Sequence, residues 1–447
     1  MSVPRVLLIP THRTGLADAI AAAAAEIVTA QGRQVRYHHV GPLAPMSAWD
    51  RWEGAVFIDP ALSGEEALLG LYDVAVRHAD LSLLSSTAGL LDRQEGASWV
   101  PADVARLLDC PVVVLMDCGG WGAGIKVLVT GIKTHLRSLD LAGAILSGVA
   151  DRDHCDLLGK VFAEEGIKVA GCLFEGQGLA WDAVPPGAWG LPLPQELLEA
   201  VARQVDVDSL VSVAGHRGFL SAPSWLSDRG ANGPVVAVAS GKGFTPWSRD
   251  SIEVLRAAGA QVRRLDLVDD TALPPGTAGL VLAGTLWPET VPDIALNTGL
   301  MSDIGAQVRS GLPTLALGEG MMILLSRVQD SLGRTSELAG VIDAEAEILW
   351  DLQDPAYVEV LAERDNLILA KGDKITGWVV SETELSGSGA AWDSPLVLRG
   401  SGSVPARREG AGTDSLLCSP VMIHLAADRE IGPRFVRRCA AYPAGRG

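Results

Sequence analysis

The stretch Ser310–Leu325, SGLPTLALGEGMMILL, joins one apolar run to another through a short segment flanked by glycines. This order predicts a buried strand, a tight elbow and a helix. An elbow of this kind holds its central residue at positive φ, so small residues such as Gly318 and Gly320 are what it requires. Such a unit is typical of a catalytic α/β domain, although an ordinary strand–glycine–helix junction gives the same pattern.

Short apolar runs alternate with helical stretches on the N-terminal side of this segment. The predicted strands there are Arg5–Pro10, Gln34–His39, Gly54–Ile58, Leu81–Ser85, Pro111–Asp117, Gly143–Ser147 and Lys168–Cys172, and the predicted helices include Leu16–Gln31, Val104–Leu108 and His154–Glu165. Near-continuous apolar strands separated by helices indicate a parallel sheet with both faces covered. We therefore predict an α/β fold with two doubly wound, mostly parallel sheets.

The composition changes at Ala214–Gly233, which is polar and rich in Gly, Ser and Pro. We predict that this segment is a linker between a domain at 1–213 and a second domain at 234–447. The second domain should contain the strands Pro234–Ser240, Gln261–Leu267, Gly279–Ala283 and Pro313–Ala316 and the helix Ser251–Ala258. Ser386–Gly412 is small and glycine-rich, which predicts a mobile loop.

Charge limits the partners that the protein is expected to bind. The 447 residues include 36 Lys+Arg and 54 Asp+Glu, for a net charge of −18. Such a chain repels phosphate backbones and anionic lipid, so we expect neither a nucleic acid nor a membrane partner. No apolar run reaches the length of a bilayer span, and the first residues lack the basic start and cleavage site of a signal peptide, which predicts a cytoplasmic protein.

Six cysteines are scattered along the chain without a CxxC motif or a cluster with histidine. The pattern predicts neither a metal site nor a disulfide framework. We expect reduced and mostly buried thiols.

Six segments, in order, carry a family resemblance. They are LLSSTAGLLDRQEG (83–96), ADVARLLDCPVVVLMDCGG (102–120), GPVVAVASGKGFTPWSRDSIEVLRAAGAQV (233–262), GLVLAGTLWPET (279–290), PTLALGEGMM (313–322) and SPVMIHLAADREIGPRFVRRC (419–439). The chain resembles the cobyrinic or hydrogenobyrinic acid a,c-diamide synthases, which join a dethiobiotin-synthetase-like P-loop domain to a cobalamin-type glutamine amidotransferase domain. The resemblance implies a homodimer that uses ATP and glutamine to amidate a tetrapyrrole carboxylate.

The family's phosphate-binding loop corresponds to PTHRTGLAD (10–18), and it departs from the motif where the chemistry needs it. Leu16 stands in place of the lysine that contacts the β- and γ-phosphates, and Ala17 in place of the hydroxyl that binds magnesium. Ser85 replaces a glutamate of the acidic magnesium site, whereas Asp92 is retained. We therefore expect no phosphoryl transfer and no metal site.

Weak binding of a nucleotide or another small anion is still compatible with this loop, because a helix N-terminus offers unpaired N–H groups. The candidate binding residues are Thr11, His12, Arg13, Thr14, Gly15, Asp92 and Trp121. Each has a plainer interpretation. His12 and Arg13 are then ordinary exposed loop residues, Asp92 is a turn residue, and Trp121 is a packing residue.

The amidotransferase half departs from the family pattern in a similar way. The resemblance places Gly318 where the nucleophilic cysteine belongs and Met422 in place of a histidine, while His424 matches the catalytic histidine. Cys418 is a poor substitute nucleophile, because on one strand it would lie about 20 Å from His424. Glu319 is a candidate general base, or simply a first-turn glutamate near a helix dipole.

A flat ligand would find aromatic and basic groups near the predicted strand ends. Trp121 and Trp287 fall where open α/β sheets bind ligands, and Lys126 and Lys133 follow Trp121 on a predicted helix. The plainer interpretation of both tryptophans is a core or interface position. A tetrapyrrole that carries carboxylates would require basic groups of this kind.

These departures lead to the hypothesis of a degenerate, non-catalytic relative of the a,c-diamide synthases. It would bind a small anionic or tetrapyrrole-like ligand, or regulate a partner, as a homodimer or in a complex with an intact paralogue. The alternative hypothesis is an active ATP-dependent amido-ligase.

Overall fold

A computed structural model describes residues 3–41, 57–93, 95–176, 193–215, 220, 224–226, 232–246, 250–330, 333–347, 356–379, 385–386, 394–400 and 405–443. The chain forms two compact units. The first comprises residues 1–60, 68–94 and 98–223, and the second comprises 61–67, 95–97 and 224–447. The division between Pro223 and Ser224 falls within the predicted linker, much of which lies outside the described residues.

The first unit is built around one seven-stranded sheet. Its strands are β1 (Arg5–Pro10), β2 (Val35–Val40), β3 (Phe57–Ile58), β4 (Leu81–Ser85), β5 (Val112–Asp117), β6 (Leu141–Val149) and β7 (Lys168–Phe174). Its helices are α1 (Leu16–Ala30), α2 (Pro60–Ser63, which extends into the second unit), α3 (Glu65–Ala75, likewise), α4 (Pro101–Leu107), α5 (Lys126–His135), α6 (Arg152–Glu164), α7 (Gln195–Gln204) and α8 (Val207–Ala214). The spatial order is β3-β2-β4-β1-β5-β6-β7, and each of these pairs is parallel.

The connections reverse direction around β1, which lies between β4 and β5. In an open parallel sheet this reversal leaves a crevice at the carboxyl ends of the central strands. The loops that follow β1, β4 and β5 therefore share one edge of the sheet. Helix α1 packs behind β1 through an almost wholly buried run of alanines, since small side chains let a helix approach a sheet closely.

The second unit contains three sheets. Its strands are β8 (Val235–Ala239), β9 (Phe244–Pro246), β10 (Gln261–Leu265), β11 (Thr277–Leu286), β12 (Thr314–Gly318), β13 (Leu325–Gln329), β14 (Thr335–Glu337), β15 (Ile342–Glu347), β16 (Ala356–Ala362), β17 (Lys374–Val379), β18 (Leu385–Ser386), β19 (Leu396–Arg399), β20 (Arg407–Glu409), β21 (Ala411–Gly412) and β22 (Leu416–Ser419). Its further helices are α9 (Asp250–Ala257), α10 (Val291–Leu296), α11 (Thr298–Arg309) and α12 (Ile431–Ala441).

The main sheet of this unit has the order β10-β8-β11-β12-β22-β21, with β9 paired to β11. The five strands β10, β8, β11, β12 and β22 run parallel to one another. The short strand β9 is antiparallel to β11, and β21 is antiparallel to β22. Two four-stranded sheets follow, β14-β13-β15-β18 and β17-β16-β19-β20. Two α/β units with mostly parallel principal sheets confirm the predicted fold class.

Three expectations need correction. The elbow leads into a 3₁₀ helix at Glu319–Leu324 and then directly into β13, because the next apolar residues join a second sheet instead of extending a helix. Within Ser386–Gly412 the described residues include the end of β18 and the strands β19, β20 and β21. Strand β19 pairs with β16, β20 with β19 and β21 with β22, and this antiparallel pairing supplies the backbone partners that a loop would lack.

The third correction concerns the cysteines. Cys155 and Cys172 form a disulfide, with their Cα atoms 6.2 Å apart, because α6 packs beside β7 and brings the two side chains together. Cys110, Cys118, Cys418 and Cys439 are buried thiols, as expected.

None of the helices in the described part of the chain combines the length and the apolarity that a bilayer span requires.

Candidate functional site

The elbow after β12 has the strained backbone that its sequence predicts. Gly318 has a φ of +62°, a conformation that is costly for a residue with a side chain. A Cβ atom built on Gly318 would lie 2.7 Å from the Cε of Met422 and would overlap its sulfur. The thioether of Met422 therefore fills the space in front of the elbow where a nucleophilic side chain would have to lie.

The side chain of Glu319 accepts a hydrogen bond from a backbone N–H beside the elbow. Its Oε2 accepts a hydrogen bond of 2.8 Å from the N–H of Leu286, at the end of β11. Glu319 as a whole is partly exposed, but its carboxyl group is buried. This burial raises the pKa of Glu319 to about 7. A backbone N–H in this position is the kind of donor that would stabilise an oxyanion, and here it already has an internal acceptor.

His424 is held on both sides of its ring. Its Nδ1 accepts a hydrogen bond of 3.0 Å from the N–H of Ala426, so the ring proton lies on Nε2, which donates to Oδ2 of Asp250 at 2.7 Å. His424 and Asp250 are both almost completely buried. A histidine with both nitrogens engaged in this way has no free lone pair with which to deprotonate a nucleophile.

Cys418 lies on β22, where it pairs with Ala316 of β12. Strand β22 ends at Ser419, so Cys418 and His424 do not share a strand, and the distance of about 20 Å that assumed one continuous strand does not apply. The chain turns after Ser419 because Trp378 of β17 and Met422 exchange two backbone hydrogen bonds there. Complete burial raises the pKa of the Cys418 thiol well above its usual range, so it stays protonated and unreactive.

The raised pKa of Glu319 predicts a pH-dependent stability. The unfolded carboxyl group titrates near 4.5 and the folded one near 7, so the folded state holds the proton more tightly between these values. The free energy of unfolding should therefore fall as the pH rises from 4.5 to 7, by about 2 kcal/mol once the exposed part of the side chain is allowed for.

Urea titrations of the wild type and of Glu319→Gln at pH 5 and pH 8 measure this effect. Between pH 5 and pH 8 the free energy of unfolding of the wild type should fall by more than that of Glu319→Gln, so the glutamine variant should gain stability relative to the wild type. A difference that is the same at both pH values would show that Glu319 is not the titrating group.

The predicted ligand residues of the first unit lie in the loops at the carboxyl ends of β1, β4 and β5. Thr11–Gly15 follows β1, Asp92 is in the loop after β4, and Trp121 is in the loop after β5. His12 and Asp92 come together around Gly89, where a Cβ atom would lie 2.9 Å from the Cα of His12 and would overlap Oδ2 of Asp92. The structure thus places these residues along one edge.

The backbone of this loop is already committed to acceptors within the protein. The N–H of Thr11 donates to the carbonyl of Leu115 at 2.9 Å, and the N–H of Thr14 donates to the carbonyl of Thr87 at 3.0 Å. The N–H of Leu16 donates to Oγ1 of Thr14 at 3.2 Å. A phosphate cradle requires such groups to point at the ligand, so three donors of this loop are lost to it.

Asp18 places a buried carboxyl group in the first turn of α1. Its Oδ1 accepts a hydrogen bond from Oγ of Ser85 and lies 3.2 Å from Nδ1 of His39, and Tyr37 donates to or accepts from Ser85 at 2.8 Å. All four side chains are buried. A carboxylate at this end of a helix interacts favourably with the helix dipole, and it offsets the attraction for an external anion.

Other predicted residues have more ordinary roles. Asp92 closes a turn, because its Oδ2 accepts the N–H of Gly89 at 3.1 Å. Lys126 forms an ion pair with Glu164 at 2.7 Å, and Lys133 donates to the carbonyl of Glu165, so both amines are engaged within the protein. Trp121 is 43% exposed, and its carbonyl accepts a hydrogen bond of 2.6 Å from Nε2 of His154.

Sequence inspection missed Asp18, Asp250 and His154 as members of these sites. Asp18 had a signal, since it is an acidic residue within an otherwise apolar and alanine-rich stretch. Asp250 had none, because it lies 174 residues from its partner His424.

The relatives that comparisons with known proteins find are a,c-diamide synthases. It is 31% identical to the hydrogenobyrinate a,c-diamide synthase of Thermobifida fusca over 409 residues, which cover 85% of this chain and 84% of that protein. It is 26% identical to the cobyrinate a,c-diamide synthase of Caldanaerobacter subterraneus, over 91% and 92% of the two chains. The hydrogenobyrinate a,c-diamide synthase of Streptomyces coelicolor is 27% identical, over 98% of both chains. No protein-family model matches the chain.

Proposed function

The chain belongs to the family of hydrogenobyrinate and cobyrinate a,c-diamide synthases, and we propose, from the geometry of its elbow, that it is a member without amidotransferase chemistry. In this proposal it binds a small anionic or tetrapyrrole-like ligand, or regulates a protein partner, in metabolism related to cobalamin. The partner is a second copy of the chain or an intact paralogue, and light scattering of the purified protein, alone and with the paralogue, distinguishes the two.

The observation that carries the proposal is the environment of Gly318. Glutamine hydrolysis of this type requires a thiolate, a base that deprotonates it, and donors for the oxyanion. Gly318 supplies no side chain, and Met422 fills the space in front of it. The ring of His424 is engaged at both nitrogens, and Glu319 accepts from the N–H of Leu286. These observations support the proposal, because the elbow carries no nucleophilic side chain, the histidine has no free ring nitrogen, and one nearby backbone donor is already occupied.

The first unit supports the same proposal independently. Leu16 and Ala17, where the resemblance expects a lysine and a hydroxyl, are both buried. Asp18 adds a buried carboxylate one residue further along the helix. Transfer of a phosphoryl group requires positive charge around the moving group, and neither Leu16 nor Ala17 can supply that charge or bind a metal ion.

We expect no glutaminase activity in the wild-type protein and none in Gly318→Cys. A cysteine at this position would have to adopt positive φ and displace Met422, and it would still lack a base, since both ring nitrogens of His424 are engaged. Incubation with glutamine and with an electrophilic glutamine analogue, followed by glutamate assay and peptide mass spectrometry, measures both properties.

The synthase of Thermobifida fusca, assayed in parallel, is the positive control for these reagents. A covalent adduct on Cys418 or on another native cysteine would overturn the proposal, because it would identify a nucleophile outside the elbow. Rapid labelling of the introduced cysteine in Gly318→Cys would show that Met422 does not block the position.

The alternative function is an ATP-dependent ligase that amidates a tetrapyrrole carboxylate with glutamine or ammonia, which the similarity over 85% of the chain favours. Phosphate release in the presence of ATP, ammonia and a corrin carboxylate distinguishes the two functions. The ligase requires phosphate release, whereas a binding protein shows a raised melting temperature without turnover. At a ligand concentration one hundred times the Kd, the native state should gain about 2.7 kcal/mol.

A further inference from the structure

The disulfide between Cys155 and Cys172 lies close to the loop that carries Trp121. Cys155 is in the first turn of α6, and Cys172 is on β7, the last strand of the sheet. The neighbour of Cys155, His154, accepts the N–H of Ala150 on Nδ1 and donates from Nε2 to the carbonyl of Trp121. The residue next to the disulfide thus holds the loop after β5 by a direct hydrogen bond.

The disulfide is not needed to keep α6 on the sheet. Leu158, Val161 and Phe162 of α6 pack into a cluster with Ala144 and Leu146 of β6, and all five side chains are buried. The cysteines take part in the same cluster, Cys172 as a buried member and Cys155 as a partly buried one. Two thiols can therefore occupy these positions without loss of the fold.

Cys155 also differs from the other cysteines in its access to reagents. It keeps some exposed surface, whereas Cys110, Cys118, Cys418 and Cys439 are buried thiols. Burial raises the pKa of Cys118 and of Cys439 to about 12, so these thiols are poor nucleophiles.

From this placement we propose that Cys155 and Cys172 form a reversible redox site whose state controls the order of the Trp121 loop. Oxidation joins the two sulfurs, and the two thiols lose two protons and two electrons to a small-molecule disulfide such as oxidised glutathione, which leaves as two thiols. In the oxidised protein the first turn of α6 is fixed to β7, which fixes His154 on the carbonyl of Trp121. Reduction frees that turn, and the loop becomes more mobile.

Equilibration of the full chain with glutathione at graded ratios of thiol to disulfide tests the first step. Trapping of free thiols with a maleimide, followed by peptide mapping, should show one pair that opens and closes reversibly. Labelling should change at Cys155 and Cys172 and stay constant at the four buried cysteines. A pair that remains oxidised, or remains reduced, at every ratio would overturn the proposal.

Hydrogen exchange tests the coupling to the loop. The N–H of Trp121 donates to the carbonyl of Cys118, and the N–H of Ile125 donates to the carbonyl of Gly122. Both amides should exchange at least about fivefold faster in the reduced protein, the lower end of typical coupling between two sites. Cys155→Ser should exchange fast in either buffer.

His154→Ala separates the coupling from the disulfide itself. This variant keeps both cysteines, so the disulfide should still form, but the loop should exchange fast whatever the redox state. A loop that exchanges at the same rate in the oxidised and the reduced wild type would refute the coupling, and so would a His154→Ala loop that still responds to oxidation.

Discussion

Gly320→Ala is expected to destabilise the second unit by about 5 kcal/mol, at the upper limit for single substitutions. A Cβ atom on Gly320 would overlap the carbonyl oxygen of Leu282 and would lie 2.5 Å from its carbon and 3.2 Å from the Cζ of Phe244. The oxygen belongs to the backbone of β11, the central strand of the main sheet, so it cannot move without breaking ladder hydrogen bonds. Hydrogen exchange of β11 and β12, together with thermal melting, measures the loss.

Gly299→Ala is the matched control in the same unit. A Cβ atom there would meet only the carbonyl oxygen of Thr271, at an ordinary 3.5 Å, and the residue lies in α11. Alanine favours a helix over glycine by up to about 1 kcal/mol, so this variant should be unchanged or slightly more stable. A Gly320→Ala protein as stable as the control would mean that the elbow does not pack against β11 as described.

Asp250→Ala should cost about 3 kcal/mol, because it leaves the buried ring of His424 without the acceptor for its Nε2 proton. The pair joins the start of α9 to the segment after β22, so its loss should loosen the C-terminal part of the unit. Urea unfolding followed by tryptophan fluorescence, with hydrogen exchange of the residues around His424, measures the change.

Asp250→Asn is the matched variant for this pair. The amide oxygen can still accept the proton of Nε2, so the cost should be clearly smaller than that of alanine. Equal losses for the two variants would show that the hydrogen bond to His424 contributes little, and that the alanine effect arises from the cavity alone.

The principal sheets could be predicted because their strands are near-continuous apolar runs. Arg5–Pro10 and Leu81–Ser85 were predicted with the bounds that the structure gives them. The strands β19, β20 and β21 could not be predicted in the same way. They are short, and what fixes them is pairing with β16 and β22, which a glycine-rich local sequence does not reveal.

In the candidate site, too, local features could be predicted from the sequence, whereas contacts between distant segments could not. The strain at Gly318 is a local property, so the sequence of the elbow predicted it. The contact of Met422 with Gly318 and the bond between His424 and Asp250 join segments far apart in the chain, and no local pattern indicates them. The pairing of Cys155 with Cys172 depends likewise on the packing of α6 beside β7.

The position of Met422 sets a condition for placing any nucleophile at residue 318. A cysteine there would clash with the methionine, so this change alone would lower stability before it offered any activity. A smaller side chain at residue 422 alone would leave a cavity beside Gly318 and would also lower stability. The two changes should therefore be tolerated better together than singly, which makes residues 318 and 422 an energetically coupled pair.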